Sequence, residues 1–320
     1  MTARSRTPIL IGISSCLLGQ KVRYDGGHKH DPFLTDTVGK FVTFVPFCPE
    51  MEIGLGAPRE SIHLTSSSEG VRLVGVKSGR DLTDLMRTYA EKKASELERK
   101  DLSGAILKSN SPSCGMERVR IHGEAGPPAR NGRGLFAQGL MEKLPRLPVE
   151  EEGRLNDPAL RENFFERVFA YRRSRDFFST DWGVGDLVAF HTREKLLVMA
   201  HAPAAYVSLG RLVALAKGQP RADLAARYET DLMEALKTPA TARRHTNVLQ
   251  HMAGYFKKLL TADEKQELAG VIEDFRLELL PLVAPLTLMR HHARRFQTAY
   301  LLDQSYVDPH PKELMLRNHV

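Results

Sequence analysis

A chain of 320 residues, 42% of them hydrophobic, is long enough to bury one large core or two smaller ones. No apolar run approaches the ~20 residues that a membrane-spanning helix needs. Three cysteines, an odd and low number, argue against a disulfide framework and fit a reducing compartment, so a cytoplasmic protein with no membrane and no evident stable protein partner is expected. The net charge of +7 permits a polyanionic partner without requiring one.

The first half alternates strand and helix signals. The apolar run Pro8–Ser14 reads as a first strand rather than a signal sequence, and it ends just before Cys16. Phe41–Phe47 is a second such run, leading into Cys48-Pro49-Glu50. After a Gly/Pro-rich stretch over 54–58, Ser61–Leu64 and Val71–Val76 read as short strands joined by a polar turn. Asp81 or Thr83 caps a helix to about Lys100, with Leu82, Leu85, Met86, Tyr89 and Ala90 at helical spacing. Gly104–Lys108 is a third apolar run and leads into Ser111-Pro112-Ser113-Cys114-Gly115. Residues 123–134, rich in Gly, Pro and Arg, read as a mobile basic loop. This alternation predicts an α/β domain over residues 1–172, a mostly parallel sheet with flanking helices.

Asn156-Asp157-Pro158 is a helix start with Pro at the first helical position, and the helix it opens is assigned to the end of the first domain. Helical periodicity then runs through 187–217, 222–236, 242–260, 262–280 and 285–303, with breaks at Gly218-Gln219-Pro220 and Thr238-Pro239. Residues 173–320 are therefore expected to form an all-α domain.

If the three apolar runs are neighbouring parallel strands, Cys16, Cys48 and Cys114 gather at the carboxyl edge of one sheet, where open α/β sheets bind ligands. Three thiolates at one edge point to a metal centre with one position left open to a substrate. The competing reading is three small buried hydrophobes. The sequence spacings match no zinc-finger or ferredoxin ligand run. The neighbours favour the metal: tight turns at Cys16 and Cys114, and the Glu50 carboxylate two residues past Cys48.

Five segments in this order, Ser15–Gly19, Val22–Gly26, Pro46–Glu50, Gly54–Arg59 and Ser111–Gly115, together resemble the thiouracil desulfidase (TudS) family over roughly residues 8–165. The resemblance implies a [4Fe-4S] cluster with three Cys ligands and one open iron, the ligands here being Cys16, Cys48 and Cys114. It points to Glu50 as general base and Ser111 as proton donor or substrate-orienting hydroxyl. The residues alone leave open a surface carboxylate and a turn-forming hydroxyl. Arg23, Tyr24, Asp25 and His28 are candidates for holding a pyrimidine or shielding the cluster, although Asp25-Gly26 also reads as a simple turn. Arg59 is a candidate phosphate ligand or a partner of Glu52 or Glu60, and Ser113 joins the substrate-binding candidates. The implied chemistry is non-redox: the iron polarises a soft thiocarbonyl, water adds, and sulfur leaves as hydrosulfide.

The second half resembles the YbgA-type helical domain through Phe190–Leu196, Met199-Ala200-His201, Leu209-Gly210-Arg211, His245–His251, Gly254–Lys258 and Pro285–Leu288. A desulfidase domain joined to this helical domain is the architecture of the RudS-type family, which implies 4-thiouridine in tRNA as substrate. Free thiouracil or a thionucleoside is the alternative substrate; a non-catalytic iron–sulfur RNA-binding regulator is the alternative class. Residues 173–320 hold 20 Lys and Arg against 17 Asp and Glu, so basicity is not concentrated in the helical half. Local clusters give the RNA-contact candidates Arg130, Arg133, Arg243, Arg244, Lys257 and Lys258. His191, His201, His245 and His251 are expected in core or interface roles rather than on a metal. Trp182 is weighed as a base-stacking ring or, more in keeping with its Gly-rich context, an anchor of the domain junction.

Overall fold

The structure is a computed structural model describing residues 8–68, 70–123 and 126–319. Two compact units divide it, residues 1–157 and 158–320. The first contains β1 (Leu10–Ser14), β2 (Thr43–Phe47), the single turn α1 (Pro49–Glu52), β3 (Ile62–Ser67), β4 (Gly70–Gly75), α2 (Thr83–Arg99), β5 (Gly104–Leu107), β6 (Val119–His122), β7 (Ala129–Gly132), α3 (Leu135–Lys143) and β8 (Val149–Glu151).

The three apolar runs are indeed neighbouring parallel strands, in the order β2-β1-β5-β8. Ser14 lies opposite Phe47 and Ile13 opposite Ile106, so the strands end together. Ile11, Ile13, Ala105, Ile106 and Leu107 are fully buried, as strands covered on both faces must be. Pro46 is tolerated because β2 is at the edge, where a missing N–H breaks no ladder. A second sheet, β4-β3-β6-β7, was not foreseen. The stretch read as a mobile basic loop supplies β7, which pairs antiparallel with β6. Glu124 and Ala125 of that stretch lie outside the described residues.

The second unit is helical: α4 (Pro158–Phe178), α5 (Val184–His201), α6 (Pro203–Ala214), α7 (Arg221–Leu236), α8 (Ala242–Ala253), α9 (Ala262–Arg276), α10 (Val283–Arg295) and the single turn α11 (Ala299–Leu302). The periodicity read as one helix over 187–217 is two, because Pro203 lacks the N–H that would continue α5 and instead starts α6. The stretch 285–303 is likewise broken, with Gln297 at φ +51 between α10 and α11. The units part at Asp157/Pro158 rather than at 172/173. The reason lies in α4, whose buried polar groups reach helical partners: Asn163 donates to the Leu236 carbonyl at 2.9 Å and Glu166 meets His201 at 3.0 Å. Trp182 is buried in this unit's core against Phe177, Phe178 and Arg221, so its ring is not a base-stacking surface.

Candidate metal centre and active site

Each cysteine follows the carboxyl end of one parallel strand. Cys16 sits in a tight turn, Ser15–Leu18, closed by Gly19 at φ +86, a left-handed conformation that favours glycine. Cys48 precedes α1, and its amide donates to Glu52 at 3.1 Å. Cys114 ends the Ser111–Cys114 turn, in which the Ser111 hydroxyl accepts the amides of Ser113 at 3.2 Å and Cys114 at 3.1 Å. The start of α3 clamps that turn, with the amides of Leu135, Phe136 and Ala137 donating to the Pro112 and Ser113 carbonyls. Only glycine fits at Gly134, where an added Cβ would lie 2.4 Å from the Ser113 carbonyl oxygen.

The three sulfurs line one cavity of about 400 Å³. Cys16 and Cys114 are buried, although the sequence placed them in turns rather than in the core. Burial raises all three thiol pKa values; Cys16 reaches about 11, with Cys48 adding to the effect. The sulfurs have few protein partners. Cys48 Sγ stands 3.9 Å from the Val22 carbonyl, and the Ser14 hydroxyl, which also accepts the Lys108 amide at 3.0 Å, faces Cys114.

Glu50 enters the same cavity from α1. Its Oε2 accepts from Arg59 Nη2, and its Oε1 accepts from the Ser113 hydroxyl at 3.0 Å and, more distantly, from Ser111 at 3.5 Å. Arg59 also donates through Nη1 to the carbonyls of Val22 at 3.0 Å and Gly56 at 2.6 Å. It therefore binds the 20s and 50s loops together around Glu50. The sequence had offered Glu52 or Glu60 as its partner; instead Glu52 pairs with Lys93, and Glu60 accepts from Lys77 and Ser78.

Of the sequence candidates, Cys16, Cys48, Cys114, Glu50, Ser111, Arg23, Tyr24 and Arg59 line the cavity, and buried Ser113 supports Glu50 from behind its wall. Asp25 and His28 are not among the lining residues. Asp25 caps its own turn by accepting the Gly27 amide at 3.0 Å, and His28 accepts the His30 amide at 3.2 Å. Asp25 is the turn former that its Gly neighbour foreshadowed.

The sequence reading missed Lys108 and Ser109. Lys108 Nζ ion-pairs with Glu152 and bonds the Ser109 hydroxyl at 2.9 Å on the cavity wall, where its charge opposes the upward shift of Cys16. The signal was available: Lys108 ends the third apolar run, at the same sheet edge as the cysteines.

A family described as 2-thiouracil desulfurase matches residues 11–152, the whole of this constellation. The chain belongs to that family. The chain is 31% identical over 153 residues to YbbK of Bacillus subtilis strain 168, covering 99% of that protein and 46% of this chain. A solved structure described as a [4Fe-4S]-dependent thiouracil desulfidase TudS shares 31% identity over 47% of this chain and 95% of its own, with a TM-score of 0.38. Downstream of the desulfurase domain, residues 195–311 match a family of unknown function, DUF1722. The chain is also 36% identical over 153 residues to YbgA of Escherichia coli strain K12, covering 90% of that protein and 48% of this chain. This is a desulfurase domain joined to a YbgA-type domain. No helix among the described residues is long and apolar enough to cross a membrane.

The RNA-contact candidates divide. Arg130, Arg133, Arg243, Lys257 and Lys258 are exposed. Arg244 is committed to the fold, donating to the His201 carbonyl at 2.8 Å. Three of the histidines are buried, as expected: His191 bonds the Tyr228 hydroxyl at 3.1 Å, His201 meets Glu166 at 3.0 Å and His245 bonds the Tyr306 hydroxyl at 2.9 Å, whereas His251 is exposed and packs on Tyr255.

Proposed function

We propose that this chain hydrolyses the thiocarbonyl of thiolated uridine, 4-thiouridine in tRNA, using a [4Fe-4S] cluster held by Cys16, Cys48 and Cys114. The observation that carries this reading is the convergence of three thiols from adjacent parallel strands on one cavity that also holds a positioned carboxylate.

The donor set fits a cluster better than a single ion. Ligand sulfurs on one tetrahedral ion stand ~3.8 Å apart when bonds are ~2.3 Å. Among the described residues these three sulfurs do not form a group mutually within 4.8 Å. Burial holds the three thiols neutral in the absence of a metal, and binding an electron-poor centre would displace their protons and leave thiolate ligands. When bound, the cluster supplies a soft Lewis acid towards a thiocarbonyl sulfur.

The chain's own residues then account for the proton transfers. Glu50, aimed into the cavity by Arg59 and Ser113, takes a proton from the water that adds to the pyrimidine carbon. Ser111 lies at the same carboxylate and on the cavity wall, placed to orient the substrate or return that proton. The change balances as C=S plus water giving C=O plus hydrogen sulfide, with no electron transferred.

The cavity admits a nucleobase, so RNA must present the thiolated base unstacked. Exposed Arg130 and Arg133 support a phosphate-bearing substrate. Arg133 is anchored to the Met116 carbonyl at 2.9 Å, two residues past Cys114, so its charge belongs to the neighbourhood of the cysteine turn. Anaerobically reconstituted full chain is expected to release sulfide from tRNA bearing 4-thiouridine, with loss of the thiouridine absorbance. Turnover of free 2-thiouracil but not tRNA would reassign the substrate. Cluster-loaded protein that binds RNA without releasing sulfide would instead be a regulator.

A further inference from the structure

Outside the cysteine cavity, the helical unit buries an unusual set of charges. Glu162 and Glu166 are four apart on α4 and so share one face. Both are buried, and both accept from the one guanidinium of Arg317. Their outer oxygens meet His319 at 2.8 Å and His201 at 3.0 Å. His201 also lies 2.7 Å from the Thr238 carbonyl through Nδ1, so both of its ring nitrogens face acceptors.

His310 supplies a second and independent observation. Its Nδ1 contacts the Pro311 carbonyl at 3.2 Å, and a carbonyl can only accept, so Nδ1 carries the hydrogen and Nε2 carries a bare lone pair. That Nε2 is shut off from solvent and has no hydrogen-bond partner among the described residues. The residue as a whole is half-buried, but Nε2 itself is enclosed. Burial lowers the ring's pKa, which favours the neutral form. One ligand atom from each of Glu162, Glu166 and His310 lies within 4.8 Å of the others. A ring whose Nδ1–H is held by a backbone carbonyl while Nε2 is free has the arrangement of a metal-binding imidazole with its supporting hydrogen bond.

We propose that Glu162, Glu166 and His310 bind one divalent first-row transition-metal ion in the core of the helical unit. Nitrogen and carboxylate donors without sulfur suit zinc, iron(II), manganese or cobalt rather than a soft cuprous ion. Ligand atoms on such an ion stand ~3.4 Å apart when bonds are ~2.1 Å and tetrahedral, so small side-chain movements close the set. Arg317 does not block the site, since each carboxylate oxygen has two lone pairs and can take a second partner. Access is from a cavity of about 200 Å³ that Glu162, Glu166, His201, His245 and His319 line. Three protein ligands leave a coordination position for water or a further ligand.

The test is a cobalt(II) titration of the full chain with its cysteine cluster already assembled. The expected result is one bound equivalent with the visible spectrum of a nitrogen- and oxygen-ligated ion, without thiolate charge-transfer intensity. His310→Ala should weaken that binding more than about tenfold. The thermal midpoint before cobalt is added should not change, because His310 holds none of the buried ion pairs. No bound equivalent, thiolate bands alone, or undiminished binding in His310→Ala would overturn the proposal. Should His310→Ala itself lose thermal stability, the wild-type spectrum decides: a sulfur-free equivalent supports the site and none refutes it.

Discussion

The two units treat their polar motif residues in opposite ways. In the desulfurase domain, Cys16, Cys48, Cys114, Glu50 and Ser111 stand on turns at the ends of parallel strands and face a cavity. In the helical unit the motif residues sit on helices and face one another: His191 meets Tyr228, His245 meets Tyr306, and buried Glu194 pairs with Arg173 and Ser305. Turns at a sheet edge leave side chains without neighbours on one side, so what projects there is available to a ligand. Helix faces packed on helices consume polar side chains in pairs, because an unpaired buried group costs about 1–3 kcal/mol. A distinctive residue pattern therefore marks a reactive edge in one unit and an interlocked core in the other.

The contrast breaks most sharply at the sulfurs. Cys48→Ala should abolish both bound iron and sulfide release in anaerobically reconstituted protein, and Cys16→Ala and Cys114→Ala should do the same. Iron and acid-labile sulfide analysis alongside turnover checks this; full activity in any of the three variants would return the cysteines to the role of buried hydrophobes. Glu50→Gln comes next. It keeps the size of the side chain and removes the base, so activity should fall about 10²- to 10⁴-fold while iron content holds. Loss of iron together with activity would make Glu50 a structural partner of Arg59 instead.

How much of this was legible beforehand follows the same division. The three apolar runs, each leading to a cysteine, pointed to neighbouring parallel strands and one shared sheet edge, though not to their order, because a buried parallel strand leaves an uninterrupted hydrophobic signature. Glu50, two residues beyond Cys48, was legible for the same reason. Its engagement with Arg59 was not, since that pairing depends on how the 50s loop doubles back to bring Gly56, Val22 and Arg59 together. Nor was β7, whose residues 129–132 are Ala-Arg-Asn-Gly and carry no strand pattern; β6 pairing imposes the conformation. The domain boundary was missed because periodicity shows that α4 is a helix, but not which core receives Asn163 and Glu166.

In the helical unit the corresponding test is pH. Burial first, then the charge of Lys195, lowers the His191 pKa to about 4. Between an unfolded value of ~6.5 and that folded value, the unfolded chain binds the extra proton. Stability therefore falls as pH drops from about 6.5 towards 4, by roughly 3 kcal/mol from this one ring, and is flat in this respect above 6.5. Calorimetric midpoints across that range should show the loss, and His191→Gln should reduce it by that share, leaving the part that buried His245, with its pKa pushed down to about 3, contributes with the same sign. A profile that stays level in wild type would mean that the ring finds solvent or a counter-charge on protonation. Gly134→Ala probes the packing under the cysteine turn. A methyl group 2.4 Å from the Ser113 carbonyl forces the turn and α3 apart, at a cost of about 1–3 kcal/mol read from the thermal midpoint.

The smallest effect on stability is expected at Lys257 and Lys258. Both are exposed, in the segment that follows α8, and replacing either by Ala should change stability by no more than about 0.5 kcal/mol. Arg244→Ala, nearby in sequence, should destabilise more, because Arg244 ties α8 to the His201 carbonyl. Binding to tRNA separates the two kinds of residue by a different readout. A lysine that neutralises a phosphate releases counterions, so its loss should lower the slope of log affinity against log salt by about 0.7 to 0.9. Arg133→Ala provides the parallel measurement in the desulfurase domain. A reduced slope for Arg133→Ala with unchanged slopes for Lys257→Ala and Lys258→Ala would confine RNA contact to the cysteine edge, leaving the helical unit's charge as an ordinary solvated face.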